Sequence, residues 1–100
     1  MRILATNKTK LMPRVGRSVQ IGNQKIAIFQ TTAGNIYALE DYCPLTDGPI
    51  LEGLVSGDYV YEPMREYKIS LVTGEIQEPD QGQLKTFPVS IEDDNIYLEV

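Results

Sequence analysis

Apolar positions along this chain recur every second residue rather than every 3.6. Val19 and Ile21 alternate with polar neighbours. In the next run Ile26 and Ile28 fall on one face, and Ala27 and Phe29 on the other. Ile36-Tyr37-Ala38-Leu39 follows, then Tyr59-Val60-Tyr61, then Tyr67, Ile69 and Leu71. The chain closes on Phe87, Val89 and Ile91, and on Ile96, Leu98 and Val100. These β-branched and aromatic-rich runs have the length and period of strands. Tyr59, Tyr61 and Tyr67 are expected to pack the sheets. Turn signals separate the runs. Gly22-Asn23 has the spacing of a two-residue hairpin, and Ala33-Gly34-Asn35, Ser56-Gly57-Asp58 and Val72-Thr73-Gly74 are further turns. Asp93-Asp94-Asn95 joins the last two strands, because Asp and Asn tolerate positive φ. No segment has a helical pattern of ten residues. At most a short helical turn is expected, near Gln81-Gly82-Gln83 or the N-terminus. The pattern predicts an all-β sandwich or barrel of antiparallel sheets.

Two stretches break the alternation: Tyr42-Cys43-Pro44-Leu45-Thr46-Asp47-Gly48-Pro49 and Glu62-Pro63-Met64-Arg65. Both carry proline, which cannot serve a central ladder, so both are predicted loops. Loops on a rigid β scaffold are where function concentrates.

Composition narrows what those loops can do. A chain of 100 residues makes one domain, 1–100. The longest apolar run, Ile26-Ala27-Ile28-Phe29, is far short of the roughly 20 residues of a membrane span. The first residues carry no apolar stretch of an export signal, and the one cysteine excludes an internal disulfide, so the expected location is cytoplasmic. There is no histidine, which removes the commonest general base and the commonest zinc ligand. Net charge is −5 but uneven. Arg2, Lys8, Lys10, Arg14, Arg17 and Lys25 stand in the first 25 residues with no acid among them. All 14 acids and only Arg65, Lys68 and Lys85 follow. The acidic body argues against nucleic acid, DNA included. The basic start reads either as a solvated segment or as a surface that steers an acidic partner.

The two loops also have a telling order. Sixteen residues separate Cys43-Pro44-Leu45 from Glu62-Pro63-Met64-Arg65. This resembles the cluster loops of Rieske iron–sulfur domains, Cys-x-His and Cys-x-x-His about 16 residues apart. Pro44, Gly48-Pro49-Ile50, Glu52-Gly53, Pro63, Thr73-Gly74-Glu75 and the closing stretch with Phe87-Pro88-Val89 agree with the family in the same order. The resemblance spans about residues 15 to 100 and implies a Rieske-like fold. Its ligand positions here are Cys43, Leu45, Glu62 and Arg65. A Rieske cluster needs two thiolates on one iron and two imidazoles on the other. Leucine has no donor atom, and arginine has no lone pair to give. The resemblance therefore implies a cluster-free member with no metal and no cofactor of its own. Leu45 and Met64 are expected to fill the vacated space, and Glu62 and Arg65 to pair across it. Cys43 reads as a small buried hydrophobe, with a reactive thiol beside Arg65 or a metal ligand as the alternatives.

The whole sequence is similar to the small subunits of assimilatory NAD(P)H-dependent nitrite reductase, many of which lack the ligands. That resemblance implies a large catalytic subunit as partner. The partner would carry FAD, a [4Fe–4S] cluster and siroheme, and reduce nitrite to ammonia. This chain would have no catalytic residue, and would offer Tyr42, Leu45, Met64 and Arg65 as contacts. Two other readings stay open. One is a ferredoxin-like electron carrier with an altered metal site at Cys43 and Glu62. The other is an accessory module of another oxidoreductase or oxygenase.

Overall fold

The computed structural model describes residues 1–100. Ten strands follow in order: β1 (Arg2–Asn7), β2 (Arg17–Ile21), β3 (Gln24–Gln30), β4 (Ile36–Glu40), β5 (Leu54–Ser56), β6 (Tyr59–Tyr61), β7 (Lys68–Ser70), β8 (Thr86–Phe87), β9 (Val89–Glu92) and β10 (Asn95–Glu99). They form three antiparallel sheets in the orders β1-β10-β9, β2-β3-β4-β8 and β5-β6-β7. The all-β architecture is the one the alternation predicts. No helix is long and apolar enough to cross a membrane.

The turns work as their residues require. Gly22 (φ 60) and Gly57 (φ 58) each open a two-residue hairpin loop. A positive φ there matches the twist of the flanking strands. At the β9–β10 turn Asp93 and Asp94 both sit at positive φ, 52 and 66.

Strand β3 is the hinge of the core. Its four central residues are all fully buried, and they divide as their parity requires. Ala27 and Phe29 join a larger cluster with Leu39, Cys43, Ile50 and Val60. Ile26 and Ile28 join a smaller one with Phe87, Ile96 and Leu98. The β2–β4 sheet is thus apolar on both faces of its middle, and the other two sheets cover it.

Three expectations change and one is narrowed. Within the basic start, Arg2–Asn7 is a strand rather than a solvated arm. β1 pairs with β10 across a bulge between Leu4 and Thr6, and Leu4 stays 55% exposed. The run Arg2–Asn7 does not alternate cleanly, so only its distant partner makes it a strand. The basic start is likewise tied down in places: Arg2 pairs with Glu92 at 2.7 Å, and Arg14 Nε donates to the Val55 carbonyl at 2.9 Å. The short helical turn forms near the N-terminus, at Lys8–Lys10, one of the two places expected; at the other, Gln83 bridges Glu75. Tyr67 and Leu71 flank β7 rather than extend it, although both pack inward. Finally, Tyr59 and Tyr61 do not pack between sheets. Val55, Val60 and Ile69 point inward and are fully buried, so their neighbours Leu54, Tyr61, Tyr59 and Lys68 face outward.

Candidate functional site

The two proline loops lie at one end of the β5–β7 sheet, where β4 leads into β5 and β6 into β7. Asp41 anchors the first. Its Oδ1 accepts from the backbone N–H of Ile50 at 2.7 Å and of Leu51 at 2.9 Å, closing the loop across its base. Inside it, the Cys43 N–H donates to the Gly48 carbonyl at 2.7 Å, and the Asp47 N–H donates to the Cys43 carbonyl at 2.8 Å. Asp47 turns the chain at φ 53 and accepts the Tyr42 hydroxyl at 2.7 Å. That hydrogen bond holds the Tyr42 phenol above its ordinary pKa, helped by partial desolvation and by the charge of Asp47. The Cys43 side chain is fully buried in the larger core cluster. Thr46 Oγ1 is buried without a partner.

Glu62 organises the second loop. It is fully buried, yet its carboxylate is well supplied with donors. Oε2 accepts from the Met64 N–H at 3.0 Å, and Oε1 accepts from the N–H of Arg65 and, at 3.4 Å, of Tyr67. The Glu62 backbone adds bonds to Tyr67 and Glu66 at 3.0 Å each. The loop curls around its own first side chain. A buried carboxylate is tolerable only with such bonds.

The loops touch. A Cβ added to Gly48 of the first would lie 3.6 Å from Met64 Sδ of the second. The segment after β7 also approaches, since a Cβ on Gly82 would lie 3.8 Å from Pro44 Cγ.

Set against the sequence, Cys43 is the small buried residue expected. Two other expectations fail. Leu45 is 41% exposed and Met64 71%, so neither fills an interior gap. Nor do Glu62 and Arg65 form an ion pair: the ion pairs of the molecule are Met1–Glu99 and Arg2–Glu92. Glu62 is turned inward onto backbone donors, and the Arg65 guanidinium remains in water, where its hydration costs nothing to keep. Tyr42, Leu45, Met64 and Arg65 are all exposed, on the two loops. The sequence reading missed Asp41, whose signal was only an acid just before the loop. It also missed the backbone role of Glu62, for which an acid heading a proline turn was the available cue.

Comparison with known proteins places these features. Residues 3–99 match the family described as the Rieske-like [2Fe-2S] domain, a longer span than the residues 15 to 100 of the sequence resemblance. One crystal structure, of a nitrite reductase NADPH (small subunit) oxidoreductase protein, superposes with a TM-score of 0.91 at 24% identity, covering 100% of this chain and 99% of that one. An NADH-dependent nitrite reductase small subunit from Mycobacterium tuberculosis gives 0.89 at 17%, covering 98% and 93%. A ferredoxin from Sphingomonas yanoikuyae B1 gives 0.89 at 18%, covering 100% and 99%. A curated relative, the 4beta-methylsterol monooxygenase of Methylococcus capsulatus, is 40% identical over 48 residues, 48% of this chain. The match spans only 13% of that relative's length.

The donor set here does not fit the [2Fe–2S] group of such domains. Leu45 offers no donor atom and Arg65 no lone pair. Both Glu62 oxygens are engaged by backbone N–H groups. No three His, Cys, Asp or Glu side chains are grouped to hold a metal ion.

Proposed function

We propose a role for this chain from one premise: it belongs to the Rieske-like [2Fe-2S] domain family. The chain serves as the non-catalytic small subunit of a cytoplasmic NAD(P)H-dependent nitrite reductase in nitrate and nitrite assimilation. It docks on a large catalytic subunit that carries siroheme, a [4Fe–4S] cluster and FAD, and it binds no cluster itself. The observation that carries the reading is Glu62. In this fold the second loop is a ligand loop, and a buried carboxylate with both oxygens bonded to backbone N–H groups holds it in shape from within. A loop so held needs no iron to keep its form, and is left to make contacts. Structural similarity to two nitrite reductase small subunits, nearly end to end, supports the partner class.

A second reading, a Rieske-like module serving an oxygenase system, is favoured by the local identity to the sterol monooxygenase. Affinity capture of the tagged chain from its source cells grown on nitrite, with a visible spectrum and iron analysis, separates the two. The expected result is a stoichiometric large partner with siroheme and flavin absorbance, the colour remaining with the partner on separation. A partner without siroheme would favour the second reading. A coloured, iron-bearing small chain would overturn the cluster-free assignment.

A further inference from the structure

We propose that the outward face of the β5–β7 sheet is a docking groove for a partner segment bearing an arginine or lysine on an apolar stem. The cation would sit between Glu52 and Glu66, with its stem on Leu54 and Tyr61. This rests on the subunit reading and names the surface and the chemistry of its partner.

The groove follows from the register of three short strands. Val55, Val60 and Ile69 take the inward positions, so Leu54 and Tyr61 stand opposite one another on the outside. Leu54, which opens edge strand β5 and pairs with Tyr61, is 61% exposed. Beside them is an open hollow of about 530 Å³ lined by Glu52, Leu54, Tyr61, Glu62, Pro63 and Glu66. Its lining joins apolar Leu54, Tyr61 and Pro63 to three glutamates, of which Glu52 and Glu66 are exposed. No cation lines it. Glu62 spends its charge on backbone N–H groups, but Glu52 and Glu66 are exposed, and neither has an ion-pair partner.

The molecule itself shows what its tyrosine faces accept. The Arg2 guanidinium lies 3.8 Å from the centroid of Tyr97, and the Lys68 ammonium 4.3 Å from that of Tyr59. Tyr61, next to Tyr59 on the same outward face, has no such cation. A guanidinium stacked there would gain the aromatic face and two carboxylates at once. A second copy of this chain is a poor occupant, because it would bring the same acids and the same net charge of −5.

The test uses the purified siroheme- and flavin-containing large subunit from the same cells as the immobilised probe. Binding of the wild-type chain is compared with that of the double variant Glu52→Lys/Glu66→Lys. Glu78→Lys is the control, an exposed acid on a different part of the surface. Both groove acids are exposed, so the double variant is expected to keep the wild-type circular dichroism. We expect the double variant to raise Kd about tenfold or more and to lose the salt dependence of binding, with Glu78→Lys close to wild type. Leu54→Ser should weaken binding without altering the salt dependence. Wild-type affinity in the double variant would overturn the groove and leave the subunit reading standing. Each Glu→Lys change adds two positive charges, so a change in log Kd with Glu78→Lys of half that of the double variant or more would reduce the effect to overall charge and also overturn it. Self-association of the chain that the double variant abolishes would assign the face to a second copy instead. If the wild-type chain does not bind the large subunit at all, the subunit reading fails and the groove with it.

Discussion

A carboxylate enclosed at the start of a loop is costly unless its oxygens find donors. Glu62 finds them on the three residues Met64, Arg65 and Tyr67, all in its own loop. The same bonds explain why Arg65 is free: its side chain contributes nothing to the charge balance of the interior. Replacing Glu62 by alanine would release these N–H groups, some to water. The expected loss is about 1.5–3 kcal/mol by urea denaturation, with Glu62→Gln about half as costly because one acceptor oxygen remains. A loss below the error of the measurement in Glu62→Ala would show that the loop is held by something else. What was legible at this scale was the changed set of residues at the ligand positions. No histidine, one cysteine, a leucine and an arginine at ligand positions are facts of composition and order. Where the Glu62 side chain points is not, because the choice between Arg65 and the backbone depends on which donors the loop presents.

Among the elements, alternation predicted well wherever a strand has one wet face or two dry ones of opposite parity. The assignment of Ile26 and Ile28 to one face of β3, with Ala27 and Phe29 on the other, became two separate core clusters. The final hairpin was legible from its turn. That turn places two aspartates at positive φ with adjacent like charges, a conformation glycine adopts more cheaply. The double variant Asp93→Asn/Asp94→Gly should therefore stabilise the protein by about 0.5–1.5 kcal/mol, raising Tm by several degrees in a domain of this size. An unchanged or lowered Tm would mean that the aspartates serve something besides the turn. β5 was not legible. Its one buried residue, Val55, stands between exposed Leu54 and Ser56, and without the aromatic residues that marked β6 this is too little pattern to show a strand. The same weakness misplaced Tyr59 and Tyr61: residues of strand-forming type were assumed to pack inward, when their parity against Val60 puts them outside.

For the molecule as a whole, the chain's two ends meet. β1 lies beside β10, and the amino terminus donates to the Val100 carbonyl at 2.8 Å and pairs with Glu99 at 2.8 Å. Ile96 and Leu98 on β10 are fully buried in the smaller core cluster, and β1 is one of the two neighbours that hold this strand. Deleting residues 1–7 would expose the β10 edge and uncover part of that cluster. The expected cost is roughly 3 kcal/mol or more, a large share of a typical domain stability of about 5–15 kcal/mol. Urea unfolding of the truncated chain checks it. A truncated chain as stable as the full one would make β1 an ornament of the sheet.

The sequence by itself determined the class of fold, the positions of the main turns and the two loops. It also determined that three of the four ligand positions in those loops hold residues other than those of a Rieske centre, because alternation, turn chemistry and ligand chemistry are all local. Tertiary structure alone decided that Arg2–Asn7 is a strand, that Glu62 serves its own backbone, that Leu45 and Met64 face water, and that Leu54 and Tyr61 flank an acidic hollow. Each of these depends on what a residue far along the chain, or a neighbour's free N–H, presents to it. Long-range pairing and burial of that kind leave no periodic mark in the sequence.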